Sequence, residues 1–430
     1  MKITQKKNYI LIGNSDENMI YRKKCPRVLR CITEDDKNEL LKRMKMPDCK
    51  LITYERRKSS INNCDWTNLP LFKYKDPHPQ VKINFSTYED EEEFYKKILK
   101  QKWTKCTKRG IWFPEKERIV AKNQGFWESD ENIHNKYPIF VISKGRHETR
   151  LTSDWLNNNK IKHYLIVEDS EYDIYDENVK NLDYVELIGF DRDENTEEGD
   201  GGGIPARNFV DYYAREEEHA EKYWLLDDNI RNFVRSHNNA RIEFKNTSVF
   251  FRILEDYADR YNNLYFSGMQ YKCFSPAIDR TRSIAILNTR IYSCMLISVK
   301  LKKILDGVLW RGVYNEDTDL SLRVLKKGLP TILHQNILCD KMQTMKCKGG
   351  NTDTIYINDG LQKKYDSLKS QHPDLVTPKL FKDKPEKIHH QVEYTSFKTN
   401  KFKKKKIKKN KITKHNEYGL KIFKNLKKNL

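Results

Sequence analysis

From residue 137 onward, short apolar runs alternate with stretches of helical period, and this alternation limits the fold more than any other feature. "YPIFVISKG" is an apolar run that ends in Gly145, and "RLTSDWLNNNKI" follows with helical spacing. "KHYLIVED" and "DYVELIGF" read as the second and third strands. A polar, glycine-rich loop, "DRDENTEEGDGGGIP", leads into the helix "ARNFVDYYAREEEHAEK", and "YWLLDDN" closes the series as a fourth strand. Strand and helix alternating at this spacing predict a parallel α/β sheet, whose ligand lies beyond the carboxyl ends of the strands. The unusual residues gather at those ends: Ser143, Lys144, Gly145 and Arg146, then Glu168 and Asp169, then Asp227, Asp228 and Asn229.

At 430 residues the chain has room for more than one core. Residues 1–135 read as a small accessory α+β module with the apolar runs "YILI" and "CKLITY", a helix over "TYEDEEEFYKKILKQ" and a strand in "GIWFPEKE". Residues 136–377 form the α/β domain. Later in it, "SIAILNTRIYSCMLISV" predicts one or two strands, and "NEDTDLSLRVLKKGLPTILH" an acid-started helix followed by a strand. Residues 378–430 are a lysine-rich tail whose composition predicts disorder. Within that tail, Leu420, Phe423 and Leu426 fall at helical spacing.

The formal charge is +20, and the segment from Lys398 to Leu430 alone holds fourteen lysines against one acid, Glu417. Such an excess points to a polyanion: nucleic acid first, an anionic membrane surface second. Nine cysteines without a CxxC pair exclude a zinc ribbon and a disulfide framework and fit reduced thiols in the cytoplasm. No apolar run is long enough for a helical membrane span, and the first residues lack a secretory signal.

Three constellations carry chemistry. Asp227, Asp228 and Asn229 at a strand end offer oxygen ligands to a hard divalent cation, or alternatively form an Asx turn. Glu316, Asp317 and Asp319 crowd the first turn of a helix, where an ionised carboxylate can take a proton from a hydroxyl or can serve simply as a cap. The pieces "SKGR", "GGGIPARN" with Arg207, and "MKCKGGNTD" with Lys346, Lys348, Gly349 and Gly350 offer donors for phosphate oxygens. Neither GxxxxGK[ST] nor GxGxxG occurs, which counts against nucleoside triphosphatase and dinucleotide chemistry.

The order of these motifs is that of GT-A glycosyltransferases. "PIFVISKGRHETRLT", "GIPARNF", "YWLLDDNI", "NEDTDLSLRVL" and "GGNTDTIY" together resemble the TET-associated glycosyltransferases, a phage family that modifies hydroxymethylated bases in DNA. The resemblance runs over about residues 137–356. It implies a GT-A-like, mostly parallel sheet with helices on both faces, a UDP-sugar donor and a Mn²⁺ or Mg²⁺ ion. It places Asp227 and Asn229 at the DxD positions, with Asp228 as an alternative metal ligand and His334 as a further one. It makes Asp317 the base, with Glu316 beside the acceptor. Ser143, Lys144, Arg146 and Glu168 would hold the nucleotide base and ribose. Arg207 would approach the diphosphate, and Lys348, Gly349 and Gly350 would line the donor site.

The expected activity is a metal-dependent hexosyl transfer to a hydroxymethyl pyrimidine in DNA. Two alternatives stay open: transfer to a glycan or protein, and a nucleic-acid-binding protein that has lost catalysis.

Overall fold

The computed structural model describes residues 3–6, 9–12, 27–31, 34–45, 80–101, 110–114, 125–129, 132–197, 200–237, 240–275, 285–342, 360–381, 384–405 and 418–424. The chain divides into two compact units: residues 1–60 with 73–120, and residues 61–72 with 121–430. The first unit contains β1 (Ile3–Lys6), β2 (Tyr9–Ile12), β3 (Arg27–Cys31), α1 (Glu34–Arg43), β4 (Gln80–Phe85), α2 (Tyr88–Phe94) and β5 (Gly110–Phe113). Its sheet runs β1-β2-β4-β3-β5 over a core of Leu29, Leu40, Ile83, Phe85 and Phe94. Thr87 and Asp90 cap α2 reciprocally, which fixes where the helix begins. The run "CKLITY" lies outside the described residues.

The second unit opens with β6 (Gly125–Ser129), β7 (Ile139–Ile142), α3 (Leu151–Asn158), β8 (His163–Glu168), α4 (Tyr172–Val179), β9 (Val185–Phe190), α5 (Ile204–Glu216) and β10 (Lys222–Asp227). It continues with β11 (Ile230–His237), β12 (Ala240–Phe244), α6 (Val249–Ala258), β13 (Phe266–Tyr271), β14 (Ala285–Leu287), β15 (Cys294–Ser298), α7 (Lys300–Ile304) and α8 (Glu316–Lys326). It ends with β16 (Thr331–Lys341), α9 (Gly360–Gln371), β17 (Val376–Phe381), β18 (Lys384–Val392) and β19 (Leu420–Lys424).

Among the described residues one sheet runs β19-β6-β12-β11-β16-β13-β15-β10-β7-β8-β9, with β14 also paired to β16. β10, β7, β8 and β9 are mutually parallel, as the alternation in the sequence requires. β15 runs antiparallel beside β10, and beyond it parallel and antiparallel pairs mix. Alternate residues of the parallel strands serve opposite layers. Val141, Leu165, Trp224 and Leu226 pack with Trp155 of α3, Tyr175 of α4 and Phe251 of α6. Phe140, Ile166, Tyr223 and Leu225 pack with Val210 of α5, Leu301 of α7 and Leu320 of α8. The domain is therefore α/β with helices on both faces, as expected.

Three expectations for the ends of this domain change. β6 pairs with β12 and β19, so the accessory module ends near residue 120 rather than at 135. Beyond residue 378, β17 and β18 form a hairpin, and Phe397 is buried with Leu375 against Leu322 and Leu325 of α8. The lysine content hides this because one apolar face suffices to hold the segment. Leu420 belongs to a strand rather than a helix, since β19 completes the sheet edge along β6.

Candidate active site

The parallel strands end in a cavity of about 560 Å³, within the range of small-molecule sites. Ser143 and Arg146 follow β7, Glu168 ends β8, and Asp227 ends β10 with Asp228 and Asn229 in the turn beyond it. Two helix N-termini complete the wall. Gly202 and Gly203 open α5, whose first turn carries Pro205, a residue suited to a position without an N–H partner. Asn315 opens α8 in the left-handed conformation at φ 58°, which asparagine tolerates better than most residues. Gly312, at φ 85°, accepts from the N–H of Gly201 at 3.0 Å and donates its own to Asp200 Oδ1 at 2.6 Å, so the two helix starts are tied together.

On the β7–β8 side, Glu168 accepts from Lys144 Nζ at 2.8 Å and from Arg192 Nη1 at 2.6 Å. Ser143 Oγ donates to Asp228 Oδ2 at 2.9 Å and also contacts the Tyr175 hydroxyl at 2.8 Å. The guanidinium of Arg146 pairs with Asp228 Oδ1. Burial pushes the Asp228 carboxyl above its ordinary value, against the pull of Arg146 and Ser143.

At the centre, Asp227 is flanked by cations on both oxygens. Oδ1 faces Arg207 Nη2 at 3.3 Å; Oδ2 accepts from Lys341 Nζ at 2.6 Å and from Ser293 Oγ at 2.6 Å. Burial alone would raise this carboxyl, but Lys341 and Arg207 outweigh it and hold the group at about 2. Arg207 Nη2 also reaches Glu316 Oε1 at 3.3 Å. Its guanidinium lies 4.9 Å from the Trp310 ring, and its buried Nε and Nη1 have no hydrogen-bond partner among the described residues. Burial raises Glu316 despite Arg207, with Asp317 adding to the rise.

The acids at the start of α8 divide. Glu316 and Asp317 line the cavity, and Asp317 Oδ1 accepts from the Thr318 N–H at 2.6 Å. Asp319 points elsewhere, into a buried cluster with Arg311 at 2.8 Å, Arg323 at 2.8 Å and His372 at 2.9 Å. The cavity is also lined by Tyr271, Phe274, Arg290, Lys364, His389 and His390, and Asp317 is close enough to act electrostatically on Arg290, Lys364 and His390. Burial and neighbouring positive charge lower His390 to about 4, so it is neutral near pH 7.

All the expected donor-side residues that are described, Ser143, Lys144, Arg146, Glu168, Arg207 and Asp227, line this one cavity. Lys348, Gly349 and Gly350 lie outside the described residues. His334 is not a ligand: it is fully buried in β16 with its ring 5.5 Å from Tyr257, and burial lowers it to about 3. Lys341 lies seven positions further along β16, about 23 Å along the strand.

The expected metal set does not fit a divalent ion. Both oxygens of Asp227 and both of Asp228 already meet protein donors, in five contacts with cationic or hydroxyl groups of Arg207, Lys341, Ser293, Arg146 and Ser143. Asn229 Oδ1 is the remaining acceptor, buried and without a partner among the described residues. A divalent ion 4 Å from the Lys341 ammonium would be repelled by about 8 kcal/mol at an effective dielectric of 20. No group of three or more His, Cys, Asp or Glu among the described residues is arranged to hold a metal.

Sequence reasoning missed Lys341, Ser293, Arg192, Arg290, Lys364, Phe274 and the His389–His390 pair. Lys341 has a signal: it is the polar residue that ends "TILHQNILCDK", the same strand-end position that exposes Glu168 and Asp227, but the apolar pattern that predicts this strand stops at His334.

The domain that carries this cavity is a glycosyltransferase domain. Residues 137–350 match the model of the TET-Associated Glycosyltransferase family, and this part of the chain belongs to that family. Among solved structures, one of GalNAc-T7 with UDP, GalNAc and Mn²⁺ aligns at 12% identity and a TM-score of 0.30. That alignment covers 50% of this chain and 45% of the other, so less than half of GalNAc-T7's length is spanned. No curated protein sequence matches the chain. No helix among the described residues is long and apolar enough to cross a membrane.

Proposed function

We propose that the cavity binds a nucleoside-diphosphate sugar and transfers its sugar to the hydroxyl of a hydroxymethyl pyrimidine in DNA. One observation carries the donor half of this reading: Arg207, held between Asp227 and Glu316, lines the cavity beside the N-terminus of α5, and its buried Nε and Nη1 have no hydrogen-bond partner among the described residues. Buried N–H groups of a guanidinium cost free energy unless an acceptor meets them, and a diphosphate supplies such acceptors. The nucleoside lies toward Glu168, which Lys144 and Arg192 hold in place.

Asp317, at the start of α8, takes the proton of the attacking hydroxyl. Arg290 and Lys364 on the same side favour an acceptor that carries negative charge. Phe274 is 63% exposed beside Tyr271, with ring centroids 5.6 Å apart, and suits a planar base. The base must leave the duplex to enter, and an exposed aromatic at the mouth gives it a surface to stack on. The family resemblance and the charge of +20 both favour DNA.

The test offers the full chain a panel of radiolabelled nucleotide sugars with hydroxymethylated DNA, unmodified DNA, and glycan or protein acceptors. Label entering only hydroxymethylated DNA is the expected result. Label entering a glycan or protein moves the acceptor. No transfer and no donor hydrolysis with any sugar nucleotide overturns the reading in favour of a binding module.

A further inference from the structure

Lys341 ends the longest strand of the sheet with its amine inside the cavity rather than in solvent. Its side chain is 14% exposed, and each of its polar partners among the described residues is an oxygen: Asp227 Oδ2 at 2.6 Å, Ser293 Oγ at 2.8 Å and Tyr271 Oη at 3.4 Å. These partners come from three different strands or their ends, β10, β15 and β13, so the ammonium sits where the sheet converges. Ser293 is held there in a left-handed conformation at φ 58°, and its carbonyl accepts from the Asp227 N–H at 2.9 Å. A carboxylate and two hydroxyls around a positive centre are what a small bound cation would require, and the chain supplies the charge covalently.

We infer that Lys341 is the resident cation of this site and, together with Arg207, takes the place of a divalent ion in offsetting the charge of the departing diphosphate. The inference rests on the transferase reading. The carbon–oxygen bond between sugar and diphosphate breaks, and its electron pair leaves on the diphosphate oxygen. A carbon–oxygen bond forms to the acceptor hydroxyl, whose proton passes to Asp317. Nothing is oxidised or reduced, and no further reactant is needed. Arg207 and Lys341 stand on opposite oxygens of Asp227, so the carboxylate fixes both cations, while Arg207 Nε and Nη1 stay buried without a hydrogen-bond partner among the described residues. Burial would strip the proton from an isolated lysine, but Asp227 keeps this one charged.

The experiment is calorimetric titration of the full chain with UDP, GDP, CDP and ADP, in chelator and again with Mn²⁺. At least one diphosphate should bind, with the same affinity in both buffers. Lys341→Met should weaken that binding by at least about tenfold in chelator, whereas Lys341→Arg keeps most of it. Wild-type binding that appears only with Mn²⁺, or a folded Lys341→Met protein with unchanged affinity in chelator, overturns the inference and leaves the transferase reading standing. Failure of every diphosphate in both buffers takes down the transferase reading and the inference with it. Thermal melts report whether the variants fold; if Lys341→Met does not, the wild-type comparison decides alone.

Discussion

Arg207 stands 3.3 Å from Glu316 across the cavity and so links the first turn of α5 to the first turn of α8. The pair joins the glycine-rich loop to the helix that carries Asp317, so one buried contact positions both the proposed anion site and the proposed proton acceptor. Arg207→Lys keeps a charge but loses the planar fork and the contact with Trp310. Nucleoside diphosphate affinity, measured by calorimetry, should fall about 10- to 100-fold, the range that charged hydrogen bonds contribute. An unchanged affinity would remove Arg207 from the phosphate site.

Asp317→Asn removes the proposed proton acceptor while preserving size and the hydrogen bond from Thr318. Transfer to the acceptor should fall by about 10²–10⁴, with donor affinity unaltered. Single-turnover rates beside donor titrations separate the two effects. If Asp317→Asn transfers at the wild-type rate, the base lies elsewhere in the cavity.

Phe274→Ala should raise the KM for a hydroxymethylated oligonucleotide by about tenfold, corresponding to the loss of one stacking contact. Phe274 is exposed and is not among the residues proposed to hold the donor, so the donor KM should not change. Steady-state kinetics with each substrate varied in turn makes the distinction.

Asp319 bears on stability rather than chemistry. Burial raises its carboxyl, but His372, Arg311 and Arg323 overcome this and hold it at about 2, below the ordinary 3.8. A depressed carboxyl stabilises the fold above its unfolded value and loses that stabilisation as the pH falls through the folded one. Asp319 should therefore contribute about 2 kcal/mol that disappears between about pH 4 and pH 2. Asp319→Asn leaves the largely buried Arg323 without its anion and should cost about 3 kcal/mol near neutral pH. Chemical denaturation from pH 7 downward gives both numbers, and a variant as stable as the wild type would show the cluster to be inert.

Removing the chain from residue 398 onward is a poor test of the basic segment, since Tyr418 and Leu420 are buried and β19 belongs to the sheet. Substituting glutamine for Lys406, Lys408, Lys409, Lys411 and Lys414 leaves those elements in place. DNA affinity should fall, and the dependence of log K on log salt should flatten by about 4, if each lysine meets a phosphate. Nucleotide binding should be untouched. An unaltered salt slope would show that other cations grip the DNA.

Much of this domain was legible in its primary structure, and the exceptions share a cause. β7, β8 and β10 announce themselves because buried parallel strands are apolar on both faces, and the polar residues that interrupt them stand out as Ser143, Glu168 and Asp227. The acids of "NEDTD" were visible as a first turn, but nothing local tells Asp317, in the cavity, from Asp319, two residues on and buried among arginines. Lys341 becomes Asp227's partner only when β16 and β10 are brought to one end of the sheet, across more than a hundred residues of chain. The hairpin of β17 and β18 was hidden differently: its lysines and histidines satisfy a disorder criterion, whereas its anchorage depends on Leu375 and Phe397 meeting α8.

β19 has a consequence for handling the protein. By pairing residue for residue from Ser129 back to Gly125, it shields the backbone of β6, which would otherwise be the rim of the sheet. A shortened version ending before Tyr418 would bare that row of amides and carbonyls to other molecules. Such a truncation should clump on concentration even with its catalytic cavity intact, and purification tags belong at the other terminus.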